Sequence, residues 1–518
     1  MSRQKTLVIL LIILILGAVL RLWGLETTPP SLNQDEAVNG VDAFAIGMNL
    51  RDHHGNFLPP MLQSFNDWAS PTLTYLTVPF VKVFGLSIWS VRLASSLIGI
   101  ALIPLIFWLV NLVLGHRESA LFAAFVVAIS PFAISLSRWA IPPSIVPTLL
   151  ALFLALLFWS ANQVSDSWRS WLGFTSTALA GAALTYSYPT MKVFAPLLVG
   201  VVCLVYFRKF WKQMILLVGL FTALVSPIYY LTLTQPEIYN ARYDSVGVTA
   251  RGESYIDGFN SRFWDYFSPL FLTGDSDTNP MHHVPGFGPI PELFTLLIYL
   301  GLIIAVLVTI NYESISDKVK IKSVTNIHQN LSILILAFLT FPIAPSLTVD
   351  KVILTRGIQG LLLAIVFAAI GFWYIWHNID SIKIKRFLGT GILVISLFST
   401  FQFSHYYFGQ YSQNQKSNFQ YGIRQMLVYL QQNDSQFDKV EIADINQPYI
   451  YKLFFEPRNF DAINPKTMDR QIGKYYFGGV NKAGLSQKTI IKTIEDEMGQ
   501  TWFNIYEFQP RWYIVVRP

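Results

Sequence analysis

The chain has 518 residues, of which only 13% are Asp, Glu, Lys or Arg, while 53% are hydrophobic and 15% aromatic; with a mean hydropathy of +0.44 it carries more apolar surface than water-exposed faces tolerate, so lipid is the solvent for most of it. That excludes an ordinary water-soluble enzyme. The net charge of +6 is scattered in short clusters rather than gathered on one stripe, so nucleic acid is not an expected partner, and the single Cys203 excludes a disulfide framework or a Cys-based zinc site.

In chain order, apolar runs predict membrane helices near 6–25, 88–114, 118–136, 143–161, 170–187, 193–207, 213–231, 291–310, 330–347, 355–376 and 387–403, about eleven in all. The first has a basic start but no small-x-small cleavage site, and Arg21-Leu22-Trp23 reads as an interfacial anchor, so it is taken as an uncleaved helix. Basic clusters alternate between the runs: Arg3/Lys5, Arg117, Arg169, Arg208/Lys209/Lys212, Lys318/Lys320/Lys322 and Lys383/Lys385/Arg386 share one side, which the positive-inside rule makes cytoplasmic. Residues 26–87, 232–290 and 404–518 then face outward. In the first of these, Glu36–Leu50 and Pro71–Phe84 read as helices lying in the membrane interface. The last changes character: Ile423–Leu430 has helical spacing, and Lys439–Ile442 and Trp512–Val516 are β-rich, which predicts a small extracytoplasmic α/β domain.

Within the first outer segment stands Asn33-Gln34-Asp35-Glu36-Ala37, two adjacent carboxylates at a membrane boundary. They serve either as a helix cap and a partner for the helix dipole, or as functional acids. Asp67 follows in the same loop. Arg92, Arg138, Lys192, Lys351 and Arg356 lie at outward ends of spans, against the charge rule. Each alone can snorkel; together, opposite acidic residues, they suit a phosphorylated lipid, because a guanidinium grips phosphate bidentately and an ammonium acts as a point charge. His53-His54 and His282-His283 lack metal-ligand spacing, so a metal is not favoured, and 274–279 reads as a solvated turn.

The ordered set Leu20-Arg21-Leu22, Asp35-Glu36-Ala37, Ser70-Pro71-Thr72-Leu73-Thr74-Tyr75, Phe84-Gly85 with Val91-Arg92-Leu93, Ile129-Ser130-Pro131 with Ser137-Arg138, and Tyr186-Ser187-Tyr188-Pro189 resembles the membrane glycosyltransferases of the GT-C fold. The resemblance is to the branch of protein O-mannosyltransferases and lipid A aminoarabinose transferases. It departs at Ser70-Pro71, where many relatives have His-Pro-Pro or Lys-Pro-Pro. The resemblance implies a GT-C transmembrane catalytic domain over 1–403, with outer loops 26–87 and 232–290, followed by the extracytoplasmic domain 404–518. It also implies an inverting enzyme in the cell membrane that moves a sugar from a polyprenyl-phosphate carrier to a hydroxyl of a protein, lipid or glycan on the outer face.

On that reading Asp35 is the base, Glu36 its supporting or substitute carboxylate, and Arg92, Arg138 and Lys192 hold the donor phosphate; Asp67, Tyr186, Tyr188 and Arg356 are further substrate-binding candidates. No cofactor is expected beyond the lipid-linked donor, and the partners are that donor, the acceptor and membrane lipids. The competing classes are a transporter or lipid flippase, against which the absence of repeats and of midplane charge speaks, and a non-catalytic scaffold of the same fold.

Overall fold

The computed structural model describes residues 1–64, 67–310, 326–443, 445, 447–457, 467–478, 485–496 and 498–517. The predicted cytoplasmic cluster Lys318/Lys320/Lys322 lies outside the described residues. Every predicted apolar run is helical. The first helices are α1 (Arg3–Leu22), α2 (Gln34–Asn49), α3 (Thr72–Phe84), α4 (Ile88–Leu114), α5 (Arg117–Ile129), α6 (Pro131–Ser135), α7 (Val146–Ala161), α8 (Trp168–Thr185) and α9 (Met191–Thr234). Thr295–Ile310, Ile327–Thr340, Ile358–Asn378 and Ile382–Tyr406 follow.

Among the described residues eight helices are long and apolar enough to cross a membrane, or nine if Arg117–Ile129 and Pro131–Arg138, bent by 62°, form one span. The predicted number is higher because it takes the two halves of α9 separately and includes α8. Chain geometry favours the first of these choices. At 1.5 Å per residue a helix of this length reaches about 66 Å, twice the roughly 30 Å of hydrocarbon. The helix also breaks at Phe210 (φ −129°, ψ 38°), beside Arg208, Lys209 and Lys212.

The chain divides into two compact units. The first holds Met1–Trp23, Asp67–Thr72 and Ser95–Tyr411; the second holds Gly24–Asn66, Leu73–Ala94 and Ser412–Pro518. The C-terminal segment thus shares a compact unit with Gly24–Asn66 and Leu73–Ala94. In the first unit α7 packs on α8 and α8 on α9, and Thr295–Ile310 packs on Ile358–Asn378. That last crossing is close because Gly301 and Gly371 each face a carbonyl of the opposite helix, where a Cβ would collide.

In the second unit the C-terminal sheet has six strands in the order Gln471–Ile472, Tyr475–Phe477, Lys439–Ile442, Trp512–Val516, Thr501–Gln509, Ile490–Glu495. Lys439–Ile442 runs parallel to Trp512–Val516, pairing Val440 with Tyr513 and Ile442 with Val515. The α/β reading of this segment is therefore borne out. Glu36 to Ala43, Ala45 and Ile46 are all buried, so α2 is a core element of the second unit. Gly40 makes this possible: a Cβ there would lie 2.6 Å from the Phe454 ring and 2.8 Å from Val91. Helix Pro448–Phe455 thus reaches the α2 backbone. Thr74 of α3 donates to Asn39 Oδ1 at 2.8 Å, tying α3 to α2.

Candidate active site

Asp35 and Glu36 are neighbours in sequence with opposite surroundings. The N-cap of α2 is Asn33, whose side chain accepts from the Asp35 N–H at 2.7 Å, and Glu36 closes the capping box by accepting from the Asn33 N–H at 3.1 Å. The capping task weighed for Asp35 therefore falls to Asn33. Glu36 is fully buried and forms a two-pronged pair with Arg92, Nε to Oε1 at 2.8 Å and Nη2 to Oε2 at 2.9 Å. Arg92 Nη1 also donates to the carbonyls of Leu25 (3.1 Å) and Pro29 (2.9 Å), and Nη2 to that of Ser31. A guanidinium has five N–H donors, and these bonds engage all of them. Arg92 and Glu36, predicted as a phosphate contact and a supporting base, are thus paired with each other, and Arg92 also bonds the chain that leads into α2. Asp35 remains exposed on the first turn of α2.

Two turns along the same helix, Asp42 is fully buried and accepts from the His53 backbone N–H at 3.0 Å, with its Oδ1 2.5 Å from His53 Nδ1. Burial disfavours the imidazolium, but the charge and hydrogen bond of Asp42 outweigh it and raise the His53 pKa above its ordinary value. His54, half-buried beside it, is pushed down to about 4 by burial and by the His53 charge. Nothing in the spacing of His53-His54 signals this pairing. Among the described residues no three His, Cys, Asp or Glu side chains converge as metal ligands.

The first unit holds the other candidates. Arg21, expected at the interface, is instead fully buried and caps the end of α5, donating to the carbonyls of Val127 (2.9 Å) and Ala128 (3.1 Å). Arg138 does the same for α1, donating to the carbonyls of Leu20 (3.3 Å) and Arg21 (2.9 Å), and lies 4.8 Å from the Phe408 ring centre. Cations at helix C-termini meet the negative end of the dipole. Lys192 is the opposite case, a cation in the first turn of α9, where the dipole disfavours it; the Asp67 carboxylate interacts with it there. The Tyr229 hydroxyl donates to the Lys192 carbonyl, and Tyr186 donates to the Leu224 carbonyl at 3.1 Å. Thr190 Oγ1 donates to the Arg356 carbonyl at 3.3 Å, which brings Arg356 to the start of α9. The Arg356 guanidinium pairs with Asp350 (2.9 Å) and donates to Thr348 (2.6 Å).

Tyr188 and Arg356 both interact with the buried Tyr266, whose hydroxyl accepts from the Ile353 N–H at 3.4 Å. Asp277 overturns the reading of 274–279 as a solvated turn. It is buried, and its carboxylate accepts from the N–H groups of Leu354 (2.7 Å) and Asn279 (2.9 Å) and meets His282 Nδ1 at 3.2 Å, while the His282 ring faces Trp139. Asp67, Lys192, Arg356, Tyr186 and Tyr188 therefore gather around the start of α9 and the 348–356 loop, and Arg138 connects to that region through its neighbour Trp139.

Residues 11–243 match the family model of dolichyl-phosphate-mannose-protein mannosyltransferase. Among solved structures, the chain is similar to ArnT from Cupriavidus metallidurans bound to undecaprenyl phosphate, with 11% identity, a TM-score of 0.57, and 88% of this chain and 85% of that one covered. It is also similar to the oligosaccharyltransferase AglB from Archaeoglobus fulgidus in complex with an inhibitory peptide and a dolichol-phosphate, with 12% identity and a TM-score of 0.53 over 88% of this chain and 64% of that one. No curated protein matches it by sequence. The class is thereby defined: a polytopic membrane protein with the GT-C glycosyltransferase fold. Its first half carries the protein O-mannosyltransferase pattern, as the ordered motifs indicated.

Proposed function

We propose that the protein is an inverting glycosyltransferase that moves a sugar from a polyprenyl-phosphate donor to a hydroxyl on the extracytoplasmic face of the cell membrane. The observation that carries this reading is the placement of Asp35, exposed on the first turn of α2 beside the buried Glu36–Arg92 pair and inside the stretch that matches the mannosyltransferase family model. The donor supplies its own leaving group. As the acceptor oxygen attacks the anomeric carbon, the bond from that carbon to the phosphate oxygen breaks, and the electron pair stays on the phosphate. Asp35 takes the acceptor proton. Lys192, Arg138 and Arg356 are the cations suited to the growing phosphate charge, with Asp67, Tyr186 and Tyr188 in the surroundings of Lys192. A single base and a stabilised leaving group give inversion without a covalent intermediate.

The test is Asp35→Asn in the purified full chain in nanodiscs. Sugar transfer falls roughly 100-fold or more, the scale of general-base catalysis, while binding of undecaprenyl phosphate is retained. Near-normal transfer by this variant would remove Asp35 from the chemistry.

A further inference from the structure

We propose that Tyr451, from the C-terminal segment, is a substrate-contacting residue of the Asp35 site, donating its phenolic hydrogen to the oxygen of the attacking hydroxyl while Asp35 takes that hydroxyl's proton. The proposal rests on the functional reading above and extends it to a region outside the matched family pattern, which ends at residue 243.

Tyr451 lies on helix Pro448–Phe455, whose Phe454 meets Gly40 of α2. One turn back along each helix stand Tyr451 and the pair Asp35-Glu36, and the Tyr451 hydroxyl interacts electrostatically with both carboxylates. The side chain is almost wholly buried, yet its hydroxyl has no hydrogen-bond partner among the described residues. Leaving a buried hydroxyl unsatisfied costs about 1–3 kcal/mol, and a group kept in that state calls for an explanation. The side-chain carbonyl of Gln34, next to Asp35, is likewise buried and unpartnered. A buried hydroxyl donor that interacts with the Asp35 charge and a buried amide acceptor on the residue preceding Asp35 match one chemistry, an alcohol that both accepts and donates.

Burial, and then the charges of Asp35 and Glu36, hold the phenol pKa well above its ordinary value, so Tyr451 remains a donor at any working pH. The step balances: the acceptor oxygen keeps the hydrogen bond from Tyr451, gives its proton to Asp35 and forms the bond to the anomeric carbon, while the bond from that carbon to the phosphate oxygen breaks and its electron pair leaves with the phosphate.

The experiment compares wild type with Tyr451→Phe, which removes one oxygen and keeps the ring. Transfer is measured from polyprenyl-phosphate-linked mannose to three acceptors: a Ser/Thr peptide, a lipid-anchored glucosamine and a free disaccharide. Undecaprenyl phosphate binding and melting temperature are measured on the same preparations. The variant loses about tenfold in kcat/KM for the acceptor that wild type uses, the scale of one neutral hydrogen bond. Its donor binding is unchanged and its melting temperature is equal or higher, because no protein hydrogen bond is lost. In the Asp35→Asn background the further loss shrinks, since both groups act on one oxygen. Equal transfer by wild type and Tyr451→Phe overturns the Tyr451 role and leaves the glycosyltransferase reading standing. A lowered melting temperature with donor and acceptor parameters falling together assigns the hydroxyl to the fold and overturns the proposal. No transfer by wild type to any acceptor overturns the functional reading and this role with it.

Discussion

The segments 26–87 and 232–290 differ in how they place their carboxylates. In the first, the carboxylates of Glu36, Asp42 and Asp52 are buried and meet Arg92, His53 and the N–H groups of the 52–56 turn, Asp42 Oδ2 being left without a hydrogen-bond partner among the described residues, while Asp35 is exposed. The second buries Asp277 and pairs Glu253 with Arg262 (2.7 Å); both segments expose apolar groups, Val83 at 72% in the first and Ile256 at 72% and Trp264 at 70% in the second. The contrast teaches that charge placed inside is held by close partners and produces a fixed frame, while acids such as Asp35 stay exposed on its surface. Apolar surface left outside a membrane protein needs no partner but lipid or substrate.

Four substitutions probe the contrast, in falling order of effect. Arg92→Ala leaves Glu36 buried without its cation and three loop carbonyls without a donor; it costs about 3–5 kcal/mol, the range for breaking a buried pair. The measurement is denaturant or thermal unfolding of the full chain, and Arg92→Lys does not restore it because an ammonium has too few donors. Stability close to wild type in Arg92→Ala would break the argument that this charge belongs to the frame. Asp35→Asn, next in size, reverses the pattern, with the large loss in transfer given above and an unfolding midpoint within about 0.5 kcal/mol of wild type, as for a surface site.

His53 gives a smaller, pH-dependent effect. Its folded pKa is raised, so its contribution is fully present below the unfolded value near 6.5 and is lost as pH rises through the folded value. Melting curves of wild type on the alkaline side of neutrality therefore fall relative to pH 6, and His53→Gln flattens that slope. Identical slopes would show that the pair does not titrate in the folded protein. Smallest of all, Trp264→Ser in the second loop changes unfolding by no more than about 0.5 kcal/mol. A large destabilisation there would show that the outward aromatic surface is part of the fold after all.

Much of the fold was legible because lipid imposes a strong rule: long apolar runs became helices nearly as read, from Ile88–Leu114, whose bounds match, to the two halves of α9. Lys439–Ile442 and Trp512–Val516 also appear with the predicted bounds, as β-branched and aromatic runs do between turns. The strands Thr501–Gln509 and Ile490–Glu495 escaped notice because their polar residues hide the alternation that pairing reveals. At the site, Asp35 and Glu36 were visible as a pair but not as two roles, since what separates them is Arg92, 56 residues away. Arg21 was misread for the same reason: its partners are carbonyls more than 100 residues along the chain, and backbone acceptors leave no trace in sequence. Asp277 looked like a solvated turn because the N–H of Leu354 that buries it comes from a distant loop.

The guanidinium of Arg92 also sets a timetable. It bonds to Leu25, Pro29, Ser31 and Glu36, all of which leave the ribosome more than 50 residues before it does. At about 5–20 residues per second of synthesis, the stretch from Gly24 to Glu36 waits several seconds for the cation that organises it. Until α4 arrives, Glu36 lacks the guanidinium that pairs with it. The difference in setting between Asp35 and Glu36 is thus created late in biogenesis, by the docking of one side chain.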